Sequence, residues 1–131
     1  MIGFDIADQS LAYPRSMPTI AAVRALLDAK AGASESYPFG PGAAVFKVGS
    51  KIFALVSDAG GTVSLKGDPD DNVALRKMYP AVTAGYHLNK KHWNTVVVAD
   101  VPADEVTSMI DLSYDLVVAS LPRKLRDTLA S

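Results

Sequence analysis

The stretch Ala44-Val-Phe-Lys-Val-Gly-Ser-Lys-Ile-Phe-Ala-Leu-Val-Ser57 decides the fold. Two runs rich in Val, Ile and Phe, Ala44 to Val48 and Lys51 to Ser57, flank Gly49-Ser50. A two-residue connection with glycine supplying positive φ is a hairpin turn. A hairpin makes its strands antiparallel, so the sheet that grows from this one is antiparallel too.

Working toward the C-terminus, Asp58-Ala-Gly-Gly61 is the next turn. Thr62 to Lys66 then alternates, with Val63 and Leu65 on one face. Asp68-Pro69-Asp70-Asp71 reads as a helix start: Asp68 caps, Pro69 takes the first turn, and two carboxylates meet the positive end of the dipole. This helix ends near Met78, before Pro80. A second hairpin joins Val82–Leu88 to Trp93–Ala99 through Asn89-Lys-Lys-His92, where Asn89 suits the turn. Pro102 opens a helix to about Ser120, with Asp104 and Glu105 in its first turn. Val106, Met109, Ile110, Tyr114 and Val117 form its apolar face, and Leu112 with Leu116 widens that stripe. After Pro122, Arg123 to Ala130 forms one last short helix.

Toward the N-terminus, Thr19 caps a helix running to about Lys30, with Ile20, Val23, Leu26 and Leu27 on one face. Gly32 stops it, and the Pro- and Gly-rich segment Ser34 to Gly42 reads as a loop. Residues 1–18 lack periodicity and form an arm; Met17, just before the first helix, is an alternative start. The expected organisation is therefore an arm over 1–18 and a single domain over 19–131. Its elements run α-β-β-β-α-β-β-α, followed by the short last helix. That order describes an α+β domain of two layers, an antiparallel sheet with helices on one face.

A chain of 131 residues fits one domain, and 49% apolar with 21% charged residues is a globular composition. The net charge of −1 excludes a protein basic all over. That average conceals patches. Residues 72 to 99 hold no Asp or Glu but carry Arg76, Lys77, Lys90 and Lys91. Residues 100 to 115 carry five acids and no base, and Arg123, Lys124 and Arg126 make the end basic again. The absence of cysteine excludes disulfides, thiolate nucleophiles and cysteine metal sites, and it suits a cytoplasmic protein. No apolar run is long enough to span a membrane.

Motifs for chemistry are absent. Gly40-Pro41-Gly42 lacks the third glycine of a dinucleotide fingerprint and no strand precedes it. There is no Walker loop and no G-x-S-x-G elbow. His87 and His92 have no carboxylate near them in sequence, so no metal site and no cofactor is expected. The acidic pairs at helix starts are explained by the dipole, so no catalytic residue is expected. The densest segment is Tyr86-His-Leu-Asn-Lys-Lys-His-Trp-Asn-Thr95, which gathers the sole Trp, both His, two Lys and two Asn. Lysines suit phosphates, Asn and His suit hydrogen bonds, and aromatics suit stacking on bases. A purely structural hairpin is the competing reading, with Trp93 plugging the core, Asn89 serving the turn and the lysines in water.

The same segment, extended to Val96, resembles the MmcQ/YjbR family, as do Ser113-Tyr-Asp-Leu-Val117 and Leu121-Pro-Arg-Lys-Leu-Arg126. Tyr79-Pro80 and the Lys47-to-Ser57 hairpin also fit, so the resemblance covers roughly residues 19 to 128. It implies a bacterial protein with a compact secretion-chaperone-like or frataxin-like fold. It also implies DNA binding through two hairpin wings, which the near-neutral charge of this chain would make weak and salt-sensitive. Lys90, Lys91, His92, Trp93 and Asn94 would form one wing, and Lys47, Gly49, Ser50 and Lys51 the other. Tyr86, His87, Leu88, Asn89, Ser113 and Tyr114 complete the family motif.

Two other functions compete. One is a protein-interaction or chaperone-like module using the Leu112/Leu116 side of the long helix. The other is a small-ligand protein with Tyr86, His87 and His92 lining a cavity. A frataxin-like iron ridge is not expected, since Asp28 is the first helix's sole acid.

Overall fold

A computed structural model describes residues 17–85 and 88–130. Residues 1–16 of the expected arm, and Tyr86 and His87 of the family motif, lie outside the described residues. The elements are α1 (Ile20–Asp28), β1 (Ala33–Ser36), β2 (Ala43–Val48), β3 (Lys51–Ser57), β4 (Thr62–Lys66), α2 (Pro69–Met78), β5 (Val82–Ala84), β6 (Trp93–Val97), α3 (Ala103–Ala119) and α4 (Arg123–Ala130). A short 3₁₀ turn, Val98–Asp100, links β6 to α3.

The six strands make one antiparallel sheet in the order β1-β2-β3-β4-β6-β5. The expected α+β architecture is thus present, with one strand more than the sequence reading gave. Ala33–Ser36 lies inside the segment read as a loop. It has no apolar run because it is an edge strand: Ala33 faces Val48 and Ser36 faces Val45, so backbone pairing to β2 defines it rather than burial. The second hairpin is also shorter than expected. Ladder pairing stops at Ala84↔Asn94, and the described residues 88–92 belong to the connection. Within it Asn89 makes the expected turn: its side-chain oxygen accepts from Lys91 N at 2.9 Å, and its carbonyl accepts from Trp93 N at 3.0 Å.

The local signals behave as their chemistry requires. Thr19 Oγ1 accepts from Ala22 N at 3.1 Å, and Asp68 Oδ1 accepts from Asp70 N at 2.9 Å. Gly49 has φ 63°, as the tight turn requires.

The core lies between the helices and one sheet face. Ala44, Phe46, Val48, Ala54, Val56, Val63, Leu65 and Val96 point into it, and Val23, Leu27, Val106, Ile110 and Val117 meet them from α1 and α3. A β-bulge sits at Phe46/Lys47, where the register to β3 shifts by one residue. Phe53 is the extra residue, and the kink lets Phe53 and its neighbour Ala54 both enter the core. The opposite sheet face carries Val45, Lys47, Ile52, Leu55, Ser64, Lys66, Trp93 and Thr95, as the alternation and register require. Val45 and Ser64 are buried there too. Helices α1, α2 and α3 meet the sheet from the core side.

Candidate nucleic-acid interface

Register determines which candidate residues share a surface. β2 ends, β3 begins, β4 ends and β6 begins at one end of the sheet. Lys47 pairs with Ile52, and Lys66 pairs directly with Trp93. At this end the outer face therefore holds two pairs, Lys47 with Ile52 on β2 and β3 and Lys66 with Trp93 on β4 and β6, the β3–β4 ladder between them having stopped at Ala54↔Leu65. The 88–92 turn, carrying exposed Lys90 and Lys91, enters β6 at the same end. None of these four lysines makes an ion pair among the described residues. Among the described residues Lys90 Nζ reaches only the Gly85 carbonyl, at 3.4 Å. Leu88 and the half-buried His92 lie in the same turn, and the His92 carbonyl accepts from Gly67 N at 2.9 Å.

Two candidates are directed elsewhere. Lys51 pairs with Val48, on the helix side, and its Nζ lies 3.2 Å from both Ser120 O and Ser120 Oγ at the C-terminus of α3. A cation there complements the helix dipole. The Gly49-Ser50 tip leans the same way, since a side chain at Gly49 would strike the buried Leu121. Asn94, beside Trp93 in sequence, is buried on the helix face. Its Nδ2 donates to Asn72 O at 3.2 Å and its Oδ1 accepts from Arg76 Nη1 at 2.7 Å.

The remaining motif residues hold layers together. Ser113 Oγ donates to Phe53 O at 2.6 Å and accepts from Lys66 N at 2.9 Å. The hydroxyl fills the place where the β3–β4 ladder would next close, since pairing stops at Ala54↔Leu65 beside the bulge. Tyr114 stands edge-on to Phe53, ring centroids 5.3 Å apart, and its hydroxyl donates to Ala31 O. Burial raises the Tyr114 phenol above its ordinary range.

Sequence reasoning missed Lys66 and the polar joint behind it. Lys66 was accessible in principle, because the Val63/Leu65 alternation already puts it on the other face. The joint was not. Buried Asn72 donates through Nδ2 to Gly67 O at 3.2 Å and to Lys91 O at 3.1 Å, which fixes the lysine turn on β4 and α2. Trp93, for its part, does not plug the helix-covered core; it is half-buried on the outer face.

Two concavities flank these residues. On the outer face, a trough of about 420 Å³ is lined by Phe39, Leu55, Ser64, Leu88 and Thr95 among others. Between α2 and α3, Leu75, Met109, Leu112 and Leu116 line an apolar groove. Leu112 is 56% exposed and Leu116 40%, so the widened stripe does reach the surface. Among the described residues no group of three or more His, Asp or Glu could hold a metal, and no helix is long and apolar enough to cross a membrane.

An antiparallel sheet with helices on one face and an exposed lysine turn at one end defines a small two-layer α+β domain. The chain belongs to the YjbR family, whose model matches residues 28–116. It is 39% identical over 95 residues to uncharacterised protein YbdF of Escherichia coli O157:H7, covering 67% of this chain and 75% of that one. It is 35% identical over 104 residues to uncharacterised protein YjbR of Escherichia coli K12, covering 77% and 88%. A crystal structure of a Deinococcus radiodurans protein with the DUF419 domain superposes with a TM-score of 0.79 at 34% identity, covering 87% of this chain and 89% of that one. A Pseudomonas syringae protein gives 0.57 at 28% identity, over 65% and 86%.

Proposed function

We propose that the chain binds nucleic acid, weakly and in a salt-sensitive way, through the basic end of the outer sheet face. One observation carries this reading: Lys47, Lys66 and the adjacent Lys90 and Lys91 come from three segments, meet at one end of the sheet, and make no ion pair among the described residues. Cations left unneutralised on a chain of net charge −1 are available to phosphates. Two to four phosphate contacts would give a salt slope of log affinity of about −2 to −4 on duplex DNA. The test is fluorescence anisotropy of labelled oligonucleotides against salt. Lys90→Ala with Lys91→Ala should weaken binding on every sequence alike and flatten the slope. No binding at low salt would end the reading. No catalysis is proposed, and the cysteine-free chain suits the cytoplasm.

A second reading rests on a different feature, the α2–α3 groove with its exposed Leu112 and Leu116. An adaptor would use it to seat an apolar segment of a partner protein. A partner that cross-links to the wild-type chain but not to Leu112→Glu would support this; a monodisperse chain without any specific partner would count against it.

A further inference from the structure

We propose that the outer face takes single-stranded rather than duplex nucleic acid, with Trp93 as its stacking platform. This rests on the nucleic-acid reading above and names the ligand class within it. Three observations lead there.

The first is the pairing itself. Lys66 stands directly across the strand from Trp93, and Lys47 lies on the same face two strands beyond Lys66. An aromatic ring flanked by cations along a sheet is suited to a base on the ring and phosphates on the cations. The second is the trough beside it. Phe39, 75% exposed, and Leu88 and Leu55 form apolar walls, while Ser64 Oγ and Thr95 Oγ1, 2.8 Å apart, put hydroxyls on the floor. Apolar walls fit the flat faces of a base, and hydroxyls can meet its polar edge. A duplex keeps those faces stacked inside. The third is the second hairpin tip. A clamp on duplex DNA needs two projecting ribbons, but the Gly49-Ser50 tip packs on Leu121 and Lys51 is held at Ser120. One lysine turn beside a concave face remains, and that geometry follows a flexible strand better than a groove.

Trp93 is the sole tryptophan, so its intrinsic emission reports this site alone. The experiment titrates the full chain with an oligothymidylate of about 12 nucleotides, within the range one such surface covers. A duplex of the same length is titrated in parallel, at low salt. The single strand should quench Trp93 emission and bind tighter than the duplex. Trp93→Ala should weaken single-strand binding about 5- to 150-fold, the usual worth of one stacked base, and Trp93→Phe should restore most of it. Phe39→Ala, on an exposed loop, should also weaken it and guards against a Trp93 variant that fails to fold. Equal binding of duplex and single strand without any emission change overturns the stacking proposal and leaves the nucleic-acid reading intact. No binding of either overturns both. Quenching by a long-chain fatty acid, with no effect of the oligonucleotide, assigns the trough to an apolar anion and overturns the proposal too.

Discussion

Trp93 and Asn94 are neighbours in sequence and face opposite ways. Trp93 stands on the outer face beside Lys66; Asn94 is buried against α2, with both ends of its amide occupied. Strand alternation alone separates them. The segment that looked like one site is therefore two devices. Its lysines and its indole are on the surface, while its Asn94, the Asn72 of α2 and the Ser113 of the companion motif tie this end of the sheet, the turn and the bulge to the helices. The difference also marks how charge is handled. On the α1 side, Arg24 is engaged by Asp58, Glu35 and Tyr37, and Lys30 by Asp111. At the lysine end there are no such partners among the described residues. Each variant below presses on one side of this division.

The largest effect is expected at Ser113. Ser113→Ala leaves the Phe53 carbonyl and the Lys66 amide buried without the hydroxyl that joins them. An unmade buried hydrogen bond costs about 1–3 kcal/mol, and two of them about 2–4 kcal/mol. The melting temperature should fall by roughly 10–15 °C for a domain of this size. A fall under about 3 °C would mean that β3 and β4 close the gap themselves, and the bulge would then need no support. Gly67→Ala should follow. Its methyl would collide with Asn72 Oδ1, and Asn72 cannot swing aside without releasing Gly67 O and Lys91 O. A loss of about 1–2 kcal/mol is expected, measurable by urea denaturation. If the buried joint also positions the lysine turn, the variant should lose some oligonucleotide affinity even where it is fully folded.

Lys66→Gln and Lys51→Gln divide the two faces with almost no change in stability. Lys66 shares its face with Trp93, so its loss should reduce the magnitude of the salt slope by about one. Lys51 is tied to Ser120 at the end of α3, so its loss should leave the slope alone. Equal effects from both would erase the distinction between the faces, and with it the assignment of the interface.

The elements legible in the sequence are those whose information is local. Gly49 encodes its own turn through φ, and Thr19 and Asp68 encode their caps through side chains bonded two or three residues away. Runs rich in Val, Ile and Phe around the Gly49-Ser50 turn marked Ala44–Val48 and Lys51–Ser57 and made the sheet antiparallel, and apolar alternation marked Thr62–Lys66. β1 was illegible because Ala-Ser-Glu-Ser carries no burial signal; its pairing belongs to β2. The roles of Asn94 and Ser113 were illegible for a related reason. Their partners lie on other elements, and a polar residue reads as surface until the fold brings those partners up. For the same reason the wing that sequence resemblance assigned to Lys47 and Lys51 divides between two faces: register, which no composition reports, sends the two lysines apart.

The smallest effect belongs to the paired side. Partial desolvation, with Glu35 close by, raises the Asp28 carboxyl above its ordinary 3.8. The folded chain therefore holds the Asp28 proton more tightly than the unfolded chain does. Stability gained from that proton is complete below 3.8 and is lost as pH rises through the raised folded value. At neutral pH the ionised Asp28 is a small liability. Asp28→Asn removes it, so the variant should melt slightly above the wild type at pH 7. The difference should shrink as pH is lowered through the raised value and disappear near pH 3.8. Because Asp28 is exposed, the gain should be no more than about 2 °C. Oligonucleotide affinity should stay unchanged throughout, because α1 packs on the helix side of the sheet. A pH-dependent change in binding would couple the paired charges to the lysine end and break the division between them.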